Sequence, residues 1–203
     1  MILQSEIASH LVVTFVYFFL VSLLRLGEFG RFGWGGLGVL GMLGMWTGAI
    51  LGSFFLDIDH LLYWFFTHPE EEDSQEAREM AMGGTSTTGI KIITGKLREL
   101  YWLLRKSHDT HTRLILHSLI GQAVLLVMAV YLLTSGGSIF GSAFIMAINL
   151  HLLKDEWSDY AKDKNHLANW LFWQISDPKA RRYLREYLVG VSLVFLLLTG
   201  LLI

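Results

Sequence analysis

Residues 34–60 read WGGLGVLGMLGMWTGAILGSFFLDIDH, and the fold turns on how that stretch is interpreted. Up to Leu56 it carries no charge, and it is longer than the roughly 20 apolar residues a helix needs to cross about 30 Å of hydrocarbon. Gly44, Gly48 and Gly52 recur every four residues, which puts bare backbone along one stripe and lets a neighbouring helix approach closely in lipid. That stripe predicts a helix at the centre of a bundle. The run closes on Asp57, Asp59 and His60. Ionisable groups at membrane depth cost roughly 2.5–3.5 kcal/mol each, so a chain that keeps several of them puts them to use.

Four further apolar runs flank this one, at 7–24, 114–134, 138–153 and 187–203. Residues 7–24 lack a basic segment ahead and a small-residue cleavage site behind, so they read as a mature helix rather than a signal peptide. The expectation is an all-α integral membrane helical bundle with about five transmembrane helices plus interfacial amphipathic helices, in one domain over 1–203. Residues 61–66 are aromatic and short and suit the membrane interface, as do most of the tryptophans. Residues 68–90, acidic and then rich in Gly, Ser and Thr, predict a flexible loop. Residues 91–113 alternate apolar and basic positions at helical spacing and predict an amphipathic helix on the headgroups.

Composition agrees. Of 203 residues, 53% are hydrophobic, too many for an ordinary soluble domain, and the net charge of −2 with no basic stripe gives no reason to expect nucleic acid as a partner. Cysteine is absent, so any metal must be held by imidazole and carboxylate.

With five crossings, the N-terminus, 57–113 and 154–186 share one side. That side carries fourteen of the sixteen Lys and Arg residues, seven in each long segment, which marks it as the cytoplasmic face of a plasma (inner) membrane. His10 opens the first helix, Asp57 to His60 close the second, Arg113 and His117 open the third, and His151 with Asp155 close the fourth. All lie on that one side, whereas unrelated decorations would fall on both. His151 and Asp155 are four residues apart, on one helix face about 5–6 Å from each other, within reach of a shared ion. Asp159, Asp163 and His166 extend towards positions from which carboxylates could orient the imidazoles. Arg113, four residues before His117, suits a bidentate clamp on phosphate or carboxylate. The plainer alternatives are an interhelical hydrogen bond for His10, solvated helix ends for the acidic residues, and simple headgroup contacts for His108 and His111.

These segments resemble a known family. GAILGSFFLDIDH resembles the G-x-x-x-P-D-x-D-H signature of the YdjM-like inner-membrane metal-dependent hydrolases; TRLILHSL resembles its H-R-G-x-T-H-S-L segment, and HLLKD its H-x-x-x-D segment, over about residues 8–160. The resemblance implies metal binding by His10, Asp57, Asp59, His60, His117, His151 and Asp155, and a substrate-side role for Arg113. The family is in turn similar to zinc-dependent phospholipase C and the S1/P1 nucleases. Leu56 stands where the family has Pro, Thr112 where it has the first His, and Leu114 and Leu116 where it has Gly and Thr. Either His111 takes the place of that His or one ligand is missing.

The function this implies is hydrolysis of a phosphoester or lipid-linked substrate at the cytoplasmic membrane face, using a divalent metal such as zinc. Asp59 or Asp155 would serve as general base, and Arg113 would hold the anionic group. Membrane lipid is the expected partner. The alternative is a non-catalytic membrane scaffold or subunit with a structural metal site or a buried ion-pair network. Ion transport would need ionisable groups near mid-membrane, and the second and fifth runs have none.

Overall fold

The computed structural model describes residues 2–27, 38–82, 113–136, 138–175 and 180–203. The described residues form helices and turns: α1 (Ile2–Gly27), α2 (Val39–Phe55), α3 (Ile58–Leu62), a π-helical turn (Tyr63–Thr67), α4 (Glu72–Met82), α5 (Leu119–Thr134), α6 (Ile139–Lys162), α7 (Lys164–Leu171), a 3₁₀ turn (Ala180–Tyr183) and α8 (Leu184–Leu202). Residues 83–90, and 91–112 of the expected interfacial helix, lie outside the described residues.

The glycine stripe does what its spacing implies. A Cβ added at Gly48 would lie 2.3 Å from the Phe140 carbonyl oxygen, and one at Gly52 would lie 2.3 Å from that of Phe144, so α2 and α6 touch backbone to backbone. Gly44 meets Ile139 at ordinary van der Waals distance. The helix at the centre, however, is α6 rather than α2, because α1, α2, α5, α7 and α8 all pack on it. Residues 145–152 of α6 are buried almost continuously, against Phe18 of α1, Met45 and Ala49 of α2, Leu125 and Ala129 of α5 and Phe195 and Leu198 of α8.

Cross-helix neighbours set the directions. Gly44 faces Ile139 while Gly52 faces Ala147, so α2 and α6 run parallel. Gly141 lies against Leu132 across the α5–α6 turn, making those helices an antiparallel pair. Trp157 Nε1 donates to Ser192 Oγ at 3.0 Å, while Ile139 shares a cavity with Leu201 and Leu202, so α8 runs against α6. Large aliphatic side chains stand outward on α2, α5 and α8, among them Leu40, Val127 and Leu197, an exposure suited to lipid and unsuited to water.

Among the described residues, two helices are long and apolar enough to cross a membrane, Ala8–Arg25 and Arg181–Leu202. A third crossing is added if α2 and the 58–67 segment, bent by 40° at their junction, count as one span. The five expected from hydropathy are therefore not all present as single helices of spanning length. The reason is local: α5 starts at Leu119, leaving about 24 Å at 1.5 Å per residue, and α6 gains its length from charged residues beyond Leu153.

Two further expectations change. Residues 72–82 fold as α4 and are not a loop, because their glutamates, alanines, Arg78 and methionines are good helix formers and Glu72 and Asp73 sit in the first turn. Asp73 Oδ2 accepts from Trp64 Nε1 at 3.1 Å, and Arg78 donates to the Phe65 carbonyl at 3.0 Å, which ties α4 to the π-helical turn. His117, expected one turn inside a helix, lies in the turn before α5. Ser118 caps that helix, its Oγ accepting from Gly121 N at 3.2 Å.

Candidate metal centre

The end of α2 builds one wall of the site. Asp57 N bonds to the Phe54 carbonyl at 3.2 Å, a tightened last turn that leaves the Ser53 carbonyl without its usual helical donor. His151 of α6 takes that place, with Nδ1 2.7 Å from Ser53 O. A carbonyl only accepts, so Nδ1 carries the proton and donates it, and in the neutral ring Nε2 keeps its lone pair. That Nε2 faces Asp155 Oδ2 at 3.1 Å. Two acceptors at this distance need a shared proton or a cation between them.

His10 of α1 completes the group. Its ring stacks on that of His151 with centroids 3.7 Å apart, and its Nε2 lies 3.0 Å from Asp155 Oδ1. Each oxygen of one carboxylate thus meets one imidazole. Ligand atoms of His10, His151 and Asp155 all lie within 4.8 Å of one another, and among the described residues this is the group of three or more such side chains that could hold a metal. Two imidazole nitrogens and a carboxylate oxygen are donors that divalent metal ions take. A backbone carbonyl holding the far nitrogen of a ligating histidine is the usual supporting contact, and Ser53 O supplies it here. Asp57, half-buried one turn further on, stands within electrostatic range of His151.

Lys154 is the residue that sequence reasoning missed. Its ammonium donates to His10 Nε2 at 2.9 Å and to Asp155 Oδ1 at 3.2 Å, the position a cation would share. His151, Lys154 and Asp155 follow the i, i+3, i+4 spacing of one helix face, and that spacing was the available signal.

The other expected ligands gather elsewhere. Asp59, 1% exposed, accepts from Ile115 N (3.2 Å), Leu116 N (2.7 Å), His117 N (3.2 Å) and His117 Nδ1 (3.0 Å). Three of these bonds fall on Oδ2 and one on Oδ1, so Asp59 is committed to the turn, and the general-base role expected for it has only the remaining lone pair of Oδ1 to act through. His60 is buried, its ring 6.1 Å edge-on from that of His117. Arg113 is exposed at the head of the same turn, near enough to Tyr63 to act on its charge, and without a helix it does not share a face with His117. Asp159 accepts from Trp170 Nε1 at 2.9 Å and lies 3.7 Å from His166, while Asp163 caps α7, so these residues fasten α7 to α6 and do not orient the imidazoles. His108, His111 and Thr112 lie outside the described residues.

A second polar network had no sequence signal. Glu156, fully buried, follows Asp155 on α6 and interacts with Gln122 of α5 and Tyr187 of α8. Tyr187 donates to Gln122 Oε1, and Gln122 Nε2 donates to the His117 carbonyl at 2.9 Å. Comparison with protein-family models, with curated proteins and with solved structures gives no match. The resemblance to the inner-membrane hydrolases therefore rests on the motif residues.

Proposed function

We propose that the chain is a membrane-bound metal-dependent hydrolase of the YdjM-like type, acting on a phosphoester or lipid-linked substrate at the cytoplasmic face of the plasma membrane. The observation that carries this reading is the convergence of His10, His151 and Asp155 from α1 and α6, with Ser53 O fixing the His151 tautomer so that two acceptors face each other. In this reading α1, α2, α5, α6 and α8 each cross the bilayer. The alternating directions of α2, α5, α6 and α8 support it, as do the apolar faces turned outward.

His10, His151 and Asp155 would hold the ion, with Asp57 within electrostatic range of His151. A zinc ion there would supply Lewis-acid activation of water and charge neutralisation on the substrate's oxygens. The protein's own part is to orient. Ser53 O holds the Nδ1–H of His151 and so leaves Nε2 as the nitrogen turned towards the ion, Asp155 bridges the two imidazoles, and Lys154 offers a cation for the substrate's anionic oxygen once an ion displaces it from His10. Asp59 is left to hold the 115–117 turn and the His117 ring.

A second reading is favoured by one observation: the Lys154 ammonium already neutralises Asp155 and donates to His10. In that reading the chain is a non-catalytic scaffold or subunit, and the cluster is a buried ion-pair network. Metal content of the detergent-purified protein, measured by mass spectrometry on wild type and the His151→Ala, Asp155→Ala double variant, separates the two. Metal on the wild type that is lost in the variant, together with phosphodiesterase activity on a chromogenic diester, is the expected result. A metal-free wild type ends the hydrolase reading, and bound metal without activity leaves the scaffold.

A further inference from the structure

Arg25 stands at the end of α1 away from the metal-centre cluster, fifteen residues past His10, or about 22 Å at 1.5 Å per residue. A cavity of about 280 Å³ lies beside it, between the α5–α6 turn and the end of α8. Arg25 itself lines that cavity, together with Leu132, Leu133, Ile139, Ser142 and Leu201. In the five-crossing reading this side of the chain carries two of the sixteen Lys and Arg residues, Arg25 and Arg31. A half-buried guanidinium there runs against the tendency of such charges to stay cytoplasmic, and an anionic ligand gives it a use.

The donors of the cavity are uncommitted. Among the described residues Arg25 has no hydrogen bond or ion pair, which leaves the five N–H groups of its planar fork free. Ser142 is 6% exposed, yet its hydroxyl reaches only the Leu132 carbonyl at 3.4 Å, longer than the roughly 2.5–3.0 Å of an ordinary O–H···O bond. Ile139 opens α6, so the positive end of a 24-residue helix faces the same space, and the Ser138 side chain makes no cap bond there. One acceptor stands opposite. The last backbone bond of α5 runs from Ser135 N to Tyr131 O, so among the described residues Leu132 O receives only the long bond from Ser142.

We propose that this cavity binds a glycerophosphate group, with the phosphate held by Arg25 and Ser142 and a neighbouring hydroxyl donating to Leu132 O. The ligand's hydroxyl frees that of Ser142 to turn to the phosphate, and the guanidinium fork matches two phosphate oxygens at once. The volume is just under the roughly 300–1,000 Å³ of complete small-molecule sites, so the cavity takes a headgroup or a molecule of that size. Leu133 and Leu201 suit the first carbons of an attached acyl chain. The site shares no residue with the metal centre and stands whether or not the chain is a hydrolase.

The test uses dioctanoyl phosphatidylglycerol bearing a photoreactive diazirine near the carboxyl end of one acyl chain. It is titrated into the full chain in a neutral maltoside detergent, and labelled peptides are mapped by mass spectrometry. Saturable labelling is expected in residues 132–142 and 199–203. Arg25→Gln should raise the half-saturating concentration about tenfold, the scale of one charge-assisted hydrogen bond, and Ser142→Ala about fivefold. Arg25→Lys keeps the charge that the fold experiences and should still weaken labelling, because the fork is gone. Leu201→Trp fills the cavity from its exposed wall and should remove the saturable part, while labelling beside Arg181, Arg182 and Arg185 at the other end of α8 stays unchanged. Displacement of the probe by unlabelled phosphatidylglycerol but not by glycerol 3-phosphate assigns the site to a lipid headgroup; displacement by both at similar concentration assigns it to the free phosphoester. Displacement by dioctanoylglycerol, which lacks the phosphate, overturns the proposal. So does labelling that never saturates, or that is indifferent to Arg25→Gln and Leu201→Trp alike, since Arg25 is then an interfacial anchor only.

Discussion

Two His–Asp pairs of nearly the same length, His117–Asp59 at 3.0 Å and His151–Asp155 at 3.1 Å, end up with opposite chemistry. Asp59 receives three backbone N–H groups besides the imidazole, so its charge is spent on holding a turn. Asp155 meets two imidazole nitrogens and a lysine, and one of those imidazoles has its other nitrogen tied to Ser53 O. The first pair is complete within the chain and the second asks for a cation. What separates them is the backbone nearby: a non-helical turn offers free N–H donors, whereas the middle of α6 offers none.

The sharpest way to break this contrast is at Asp59. Asp59→Ala leaves three backbone N–H groups and the buried His117 without their acceptor, so it should destabilise the fold by about 3–5 kcal/mol, read as a fall in the unfolding midpoint in detergent. What refolded protein remains should still bind metal. If instead the variant is stable and metal-free, the two pairs have been assigned the wrong way round.

The His151→Ala, Asp155→Ala double variant should do the opposite, losing metal entirely while costing less stability than Asp59→Ala, because both partners of the pair go together and the one charge left without its partner, Lys154, is partly exposed. Metal analysis beside a thermal scan checks both halves of that statement.

Gly52→Ala acts on the frame between the pairs. The added methyl would meet Phe144 O at 2.3 Å, so α2 and α6 must move apart, at about 1–3 kcal/mol. Because Ser53 is the next residue, its carbonyl moves with the helix, and weakened metal binding should accompany the lower midpoint. The smallest effect on stability is expected from Lys154→Gln, about 0–1 kcal/mol for a partly exposed ion pair. Zinc titration should nevertheless show tighter binding, by about tenfold, because a competing cation has gone. Unchanged affinity would mean that Lys154 does not occupy the ion's place.

Much of the site was legible beforehand, for reasons particular to each residue. The spacing of His151 and Asp155 on one helix is a property of the α-helix alone, and His10 joins them because ionisable groups near the starts and ends of apolar runs collect at the same end of a bundle. The glycines at 48 and 52 announced a close helix contact, though not which helix would make it. The motif that looked most like a ligand set, Asp57 to His60, was misleading as a unit. The chain breaks from α2 at Leu56, and the short turns that follow send Asp57 towards His151 and Asp59 towards the 115–117 turn. Hydropathy extended the third apolar run back to 114, but the hydrogen bonds that residues 115–117 donate to Asp59, 56 to 58 positions away, hold them out of the helix.

What the sequence determined by itself is the solvent and the periodicity. Long uncharged runs need hydrocarbon around them, a four-residue glycine repeat needs a close neighbour, and a His and an Asp four apart on a helix must share a face. Tertiary structure alone decided which carboxylate is tied into a backbone turn and which is left facing two imidazoles and a lysine. That outcome depends on donors brought from distant positions, and no local pattern encodes how many N–H groups will point at one oxygen.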